Sequence, residues 1–327
     1  MPSYNKINYD LRPAKSIERK MINESLRKLS TFQSIESYRY IGFGSLYFSD
    51  FSLFHRELNL TDMNSIEHTN SPKEQIRINF NRPFNCINMF YDESSNVLPR
   101  FHWDDTCTIT WLDYDYDLNK EILDDIRIVT NKSCSGSIII VTVKADPPSF
   151  QDEEGELNLD QAFPKFFSRF KERIGEDKLP SDVTYRNLRG WDFAKVCRRI
   201  INNEILEALQ ARNVARPGTQ KMSYKQLYNF HYSDGAKMIT VGGLLYNQGQ
   251  SDKVTSCGFQ NLNFIKEDEE PFKIEIPMLT YKELKHLNSQ FPQSDLTDLE
   301  SIGIPKKDIE RYHSIYRYFP NFLDAGN

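Results

Sequence analysis

No stretch of this 327-residue chain approaches the roughly 18 consecutive apolar residues of a membrane-spanning helix. Met1–Tyr9 is polar, so neither a membrane anchor nor a secretory leader is expected. The five cysteines, at 86, 107, 134, 197 and 257, are odd in number and contain no C-x-x-C pair. That argues against a disulfide framework and a zinc site, and fits a reducing, cytoplasmic setting. A net charge of −5 gives no overall pull toward nucleic acid, and no basic groove interleaved with aromatics marks an RNA or DNA reader. The six histidines show no ligand spacing; His102 and His231 read as surface or core residues. Gly44-Ser45 fails the G-x-S-x-G elbow of a serine hydrolase. No internal repeat and no low-complexity tract is present.

What the chain does contain is most informative at residues 38–67. Tyr38–Phe43 is a short aromatic and aliphatic run that stops at Gly42 and Gly44. A helix-period stretch follows, with Phe48, Phe51, Phe54, His55 and Leu58 on one face. A second short strand then ends on Glu67. Strand, glycine turn, helix, strand and acid is the layout of a nucleotide-binding βαβ unit. Glycine lets backbone approach a ligand, the helix N-terminus polarises the site, and the acid accepts ribose hydroxyl protons. Gly44 and Glu67 are 23 residues apart, close to the roughly 20 such units use. The third glycine of G-x-G-x-x-G is absent.

Further along, Ser16–Leu29 reads as an amphipathic helix with Ile17, Met21, Ile22, Leu26 and Leu29 on one stripe. Ile76–Phe80 reads as a short strand or loop element. Phe84–Phe90, Cys107–Leu112 (ending at Asp113) and the apolar Ser137–Val143 read as strands. A helix separates the last two. After Asp146-Pro147-Pro148 come a helix rich in phenylalanine from Phe163 to Ile174 and a longer one from Asp192, its N-cap, to Asn213. Tyr224–Tyr232 and Lys237–Tyr246 flank Ser233-Asp234-Gly235 as a hairpin. Lys273–Pro277 is a candidate strand, Thr280–Ser289 a helix, and the aromatic tail Tyr312–Phe322 a segment packed on the body. Five strands alternating with helices require a parallel sheet with right-handed crossovers. The fold class is α/β: a Rossmann-like open twisted sheet, mostly parallel, with a terminal antiparallel hairpin and a helical insert. Residues 1–34 read as an N-terminal helical arm, 35–149 with 221–250 as the core, 150–220 as the insert, and 251–327 as an extension packed on the core.

This succession resembles the class I S-adenosylmethionine-dependent methyltransferases. The residues that carry the likeness are Tyr40-Ile-Gly-Phe-Gly44, Glu67, Asp92, Asp113 and the hairpin at 224–246. Leu11-Arg-Pro-Ala-Lys-Ser-Ile-Glu-Arg19, Ile276-Pro-Met-Leu-Thr280 and Tyr316-Arg-Tyr-Phe-Pro320 look like pieces of a bacterial O-methyltransferase family. The resemblance implies S-adenosylmethionine as cofactor, with backbone near Gly42, Gly44 and Ser45 along its methionine and ribose part. It implies Glu67 on the ribose hydroxyls, Asp92 or Glu93 near the adenine amino group, and Asp113 facing the sulfonium. The turn departs from the family pattern, because Leu46 and Tyr47 stand where small residues are usual.

Charge is uneven. Residues 1–40 carry eight basic against four acidic side chains, and 104–125 carry eight acids against Lys120 alone. Arg12, Lys15, Arg19 and Lys20 read either as the polar face of the first helix, paired with Glu18 and Glu24, or as a lid or arm that contacts a phosphate-bearing substrate. In Trp111-Leu-Asp-Tyr-Asp-Tyr-Asp117, Asp113 and Asp115 are candidate bases, and Tyr114 and Tyr116 a candidate aromatic wall. Asp115 and Asp117 also suit the opening turn of the next helix, and a Mg²⁺ site on these acids is a minor reading. Two other functions stay open. One is an interaction protein on a retired scaffold, favoured by the irregular turn and aromatic tail. The other is a nicotinamide-dependent enzyme, against which the hairpin and the absent third glycine count. The sequence does not identify the methyl acceptor, small molecule or macromolecule, and leaves a homo-oligomer or a protein partner open.

Overall fold

A computed structural model describes residues 12–146, 159–292, 299 and 302–320; Phe322 of the aromatic tail and the leading residues 1–11 lie outside that set. Pro13–Leu26 forms α1, with proline in its first turn where no amide hydrogen is needed. Then come β1 (Arg39–Gly42), α2 (Ser49–Leu58), β2 (Asp62–Ile66), α3 (Pro72–Asn81), β3 (Ile87–Phe90) and the one-turn α4 (Ser94–Val97). β4 (Thr108–Asp117), α5 (Lys120–Lys132), β5 (Ser137–Lys144), α6 (Leu159–Ile174), α7 (Asp192–Asn213), β6 (Met222–Ser233) and β7 (Lys237–Asn247) complete the sheet-forming region. The C-terminal part adds α8 (Ser251–Ser256), β8 (Phe272–Ile274), α9 (Tyr281–Gln290) and α10 (Lys306–Ile315).

The eight strands lie in the order β3-β2-β1-β4-β5-β7-β6-β8. β1 to β5 pair in parallel, β7 runs antiparallel to β5 and β6, and β8 returns parallel to β6. The hairpin is therefore internal, and β8 rather than β6 forms that edge. Side-chain alternation along β5 divides the interior in two. Ile138 and Ile140 join α1, α2 and Trp111 on one face, while Ile139, Val141 and Val143 join α5, α6 and α7 on the other. This two-sided burial is why β5 reads as an unbroken apolar run. α9 and α10 share a small cluster of their own around Leu287, Ile309 and Tyr312.

Several expectations change. Ile76–Phe80 lies in a helix, α3, because Ser71 caps it by accepting from the Glu74 amide at 3.4 Å and Pro72 opens its first turn. Ile78 faces inward while Ile76 and Phe80 stand out in solvent. β4 does not stop at Asp113 but continues to Asp117, with a break in register between those two residues. Neither Asp115 nor Asp117 opens α5. Asn119 caps it, accepting from the Ile122 amide at 3.0 Å, while Asp117 ties β4 to α6 through Arg173 at 2.8 Å. Trp191 rather than Asp192 occupies the cap position of α7.

Candidate functional site

The parallel strands end along one edge of the sheet, and a cavity of about 620 Å³ opens there. Its walls come from α1, the β1–α2 turn, the ends of β2, β3 and β4, the start of α5 and the β6–β7 turn. Ligands of open α/β sheets bind outside this carboxyl edge, where the strand order reverses between β1 and β4.

The β1–α2 turn is built differently from the glycine cradle expected. Gly42 does not line the cavity; a Cβ there would sit 2.6 Å from the Tyr40 hydroxyl. Gly44 does line it, yet a Cβ on Gly44 would lie 2.3 Å from Phe48 Cδ1 and 2.8 Å from Ser65 Oγ. Phe48 is fully buried and itself left-handed (φ 47°), so its ring has nowhere to go. Gly44 is thus required by the packing of Phe48. Gly44→Ala is expected to lose about 1–3 kcal/mol by overpacking, readable as a lower urea midpoint at unchanged slope. Ser45 follows in the left-handed region at φ 55°, a conformation costing a non-glycine residue roughly 1–2 kcal/mol. It aims the Ser45 amide at Glu67.

Glu67 stands one residue past β2, 9% exposed. Its Oε1 accepts from the Ser45 amide at 2.8 Å and from the Ser65 hydroxyl at 2.9 Å. Burial pushes its carboxyl up to about 7, against the pull of those two donors. Asp92, at the end of β3, also lines the wall, but its oxygens are committed to Asn96 at 2.9 Å and Arg100 at 2.7 Å. Those bonds hold its carboxyl below the usual range.

Asp113 is joined by a residue far away in sequence. Lys15 Nζ donates to Asp113 Oδ1 at 2.8 Å, lies 2.8 Å from Glu18 Oε2, and reaches the Tyr232 hydroxyl at 3.2 Å. It also sits 4.7 Å above the Trp111 ring. Behind it, Thr240 donates to Glu18, Thr142 bonds Thr240 at 2.7 Å, and the Trp111 indole donates to Thr142 at 3.0 Å. Lys15 and Arg19 are buried and face the cavity, so the reading of these two as a solvated helix face fails. Arg12 lines the cavity as well.

Asp115 lines the cavity and is exposed. Tyr114 is buried and its hydroxyl donates to Asp125 Oδ2 at 2.6 Å, so of these two tyrosines Tyr116, 46% exposed, offers the open ring. His231 is a core residue, stacked on Trp191 at 4.9 Å and pushed down to about 4 by burial. Among the described residues no group of three or more His, Cys, Asp or Glu has a metal-binding arrangement, and no helix is long and apolar enough to cross a membrane.

Two acids of the cavity wall, Asp50 and Asp125, escaped sequence reasoning, and Glu18, beside Lys15, was read only as a helix-surface partner. Glu18 carried a usable signal, because it falls on the apolar stripe of α1 between Ile17 and Met21. Asp50 likewise precedes Phe51 on the buried face of α2, and accepts the Tyr40 hydroxyl.

No curated protein matches this sequence. Among solved structures the chain is similar to cofactor-bound Rv0187 from MTB, at 10% identity and a TM-score of 0.35, over 68% of this chain and 78% of that one. A Streptococcus thermophilus rRNA methylase gives 7% identity and a TM-score of 0.34, over 69% and 95%. Streptomyces venezuelae DesVI gives 12% and 0.31, over 42% and 54%. The chain spans about half the length of the first solved structures it matches. Likenesses this remote carry no weight for ligand or activity. The family comparison is of another kind, since a single family model matches residues 7–326. The chain belongs to the family described as "Putative O-methyltransferase".

Proposed function

We propose that this chain transfers a methyl group from S-adenosylmethionine to an oxygen nucleophile. The observation that carries the reading is Glu67, a carboxylate held by the Ser45 amide and Ser65 hydroxyl at the carboxyl end of β2 and turned to the cavity. Such an acid suits a pair of ribose hydroxyls, each donating to it. Family membership supports the same reading.

The residues present fit the cofactor. Ser45 Oγ, Arg19 Nε and Asp125 Oδ1 all belong to cavity residues, are buried, and find no hydrogen-bond partner in the described structure. Buried polar atoms are rarely left so, and a polar ligand relieves them. Glu67 would hold the ribose, and backbone at Gly44 and Ser45 the adjoining part. The wall from Asp92 to Ser95 would flank the adenine, with Asp92 anchoring the loop more than touching the base. When bound, the cofactor supplies a methyl group on a sulfonium, activated toward attack by oxygen.

The chain's own part is placement and proton removal. Lys15 fixes one oxygen of Asp113, leaving the other to receive the acceptor hydroxyl. Asp115, on the exposed side of the same strand, is the second carboxylate within the cavity for that proton. Tyr116 supplies an aromatic surface beside the cation. Calorimetric titration with S-adenosylhomocysteine tests the binding half: one site per chain is expected, and no heat with either cofactor form would remove the reading. Incubation with labelled S-adenosylmethionine and a panel of phenols, carboxylic acids and amines tests the direction. Methyl found on oxygen supports it, and methyl found on nitrogen alone replaces it.

A further inference from the structure

Cys107 and Cys134 are 27 residues apart in sequence, yet their sulfurs lie 3.8 Å apart. Cys107 stands just before β4, and Cys134 in the turn between α5 and β5. The pair therefore sits at the amino edge of two adjacent parallel strands, opposite the cavity. That turn is built tightly around the Cys107 sulfur. Gly136 takes φ 99° there, and a Cβ on it would lie 3.1 Å from Cys107 Sγ and 3.0 Å from Phe32 Cδ1. Closing the gap to a disulfide bond of about 2.0 Å asks each sulfur to move by roughly 1 Å.

The two thiols are unlike. Cys134 is half-buried, and contact with Cys107, the Ser137 hydroxyl at 3.6 Å and the Arg212 charge hold it below the usual thiol range in spite of burial. Arg212 is fixed in place by the Thr130 and Ser133 carbonyls, at 2.9 and 2.7 Å. Cys107 is buried, donates to the Ser135 carbonyl at 3.3 Å, and is pushed up by its contact with Cys134 and by burial. The other three cysteines lack this combination of access and nearby charge. Cys197 and Cys257 are buried and Cys86 is half-buried, and burial pushes all three thiols up. A thiolate within reach of solvent is the nucleophile toward an oxidant, and a thiol beside it converts the first product into a disulfide.

We propose that Cys134 and Cys107 form a modification site, at which a hydroperoxide oxidises Cys134 and Cys107 then closes a reversible disulfide. In the first step the Cys134 sulfur bonds to one peroxide oxygen and the O–O bond breaks. The departing hydroxide takes up the proton that Cys134 had released and leaves as water, so that Cys134 is a sulfenic acid. In the second step the Cys107 sulfur bonds to the Cys134 sulfur, the S–O bond breaks, and the hydroxyl leaves as water with the Cys107 proton. Each sulfur gives up one electron and the peroxide gains two.

The test uses the full-length reduced chain, hydrogen peroxide in equimolar amount, alkylation of the remaining thiols and a peptide map without reductant. Two of the five thiols are expected to escape alkylation, with Cys107 and Cys134 in one cross-linked peptide that dithiothreitol separates. Cys134 is expected to react about tenfold faster than Cys86, its half-buried counterpart, as for a thiolate against a thiol. In Cys107→Ser the sulfenic acid should persist at Cys134 and be trapped by dimedone, whereas Cys134→Ser should leave Cys107 open to alkylation. Five alkylated thiols after peroxide, a cross-link through Cys86, Cys197 or Cys257 instead, or equal rates at Cys134 and Cys86 would overturn the proposal. Should either serine variant not fold, the wild-type map alone decides.

Discussion

Glu67→Gln is expected to remove one contribution to the pH dependence of stability between about 4.5 and about 7. Burial raises the folded-state pKa of Glu67 to about 7 from an ordinary 4.5. Below 4.5 both folded and unfolded states hold the proton, and the group contributes no pH dependence. As the pH rises through the window, the unfolded chain releases its proton while the folded chain keeps it. Stability therefore falls, by about 1.4 kcal/mol per pH unit and on the order of 3 kcal/mol in all. Above about 7 the loss is complete. Glutamine cannot titrate, so the difference in stability between variant and wild type should change by this slope in urea denaturation followed from pH 4.5 to 8. Ligand binding runs the other way. Ribose hydroxyls donate to the ionised carboxylate, so affinity for S-adenosylhomocysteine should climb as the pH approaches 7 and level off beyond it. In Glu67→Gln the affinity should be flat with pH and about 100-fold lower at pH 8, the worth of two hydrogen bonds to a charged group. A Glu67→Gln variant whose stability and affinity follow the same course with pH as the wild type would contradict the assignment.

Lys15→Met is expected to cost about 3–5 kcal/mol of stability, because it strands a buried carboxylate. Glu18 has no exposed surface, and burial already pushes its carboxyl up despite the nearby ammonium. With Lys15 gone, Thr240 is the one donor left to it among the described residues. The sign with pH follows. An acid whose folded pKa lies above its unfolded one loses stability as pH rises, so the deficit of Lys15→Met should shrink on acidification. Adding Glu18→Gln should recover part of the deficit at neutral pH, since an amide in that place carries no charge to desolvate. Chemical denaturation of the two single variants and the double variant reads this coupling. Near-equal midpoints for wild type and Lys15→Met would show that the Lys15, Glu18 and Asp113 contacts contribute little.

Period and punctuation made much of the sheet legible. The apolar run of β5, the Ser233-Asp234-Gly235 turn and the Gly44 to Glu67 spacing each correspond to an element in place. α3 was obscured because its one inward residue, Ile78, sits between the exposed Ile76 and Phe80, so no amphipathic stripe shows. The capping signal Ser71-Pro72 with Glu74 was the better guide. The site was legible where a residue's neighbours in sequence are its neighbours in space, as at Ser45, Ser65 and Glu67. It was not legible at Lys15, whose partners Asp113 and Tyr232 lie 98 and 217 residues away. From the sequence alone the charged residues of α1 stayed divided between a solvated face and a substrate-contacting arm, since nothing local reports that Lys15 meets β4 and β6. Gly44 taught a related lesson: the spacing marked the turn, but the ring of Phe48 explains the glycine.

The central claim is that the cavity at the carboxyl edge holds an adenosyl cofactor against Glu67. A crystal structure of the chain with S-adenosylhomocysteine tests it most directly. The ribose hydroxyls are expected within hydrogen-bond reach of Glu67. Density for the ligand elsewhere, or none in a crystal grown at saturating ligand, would contradict it.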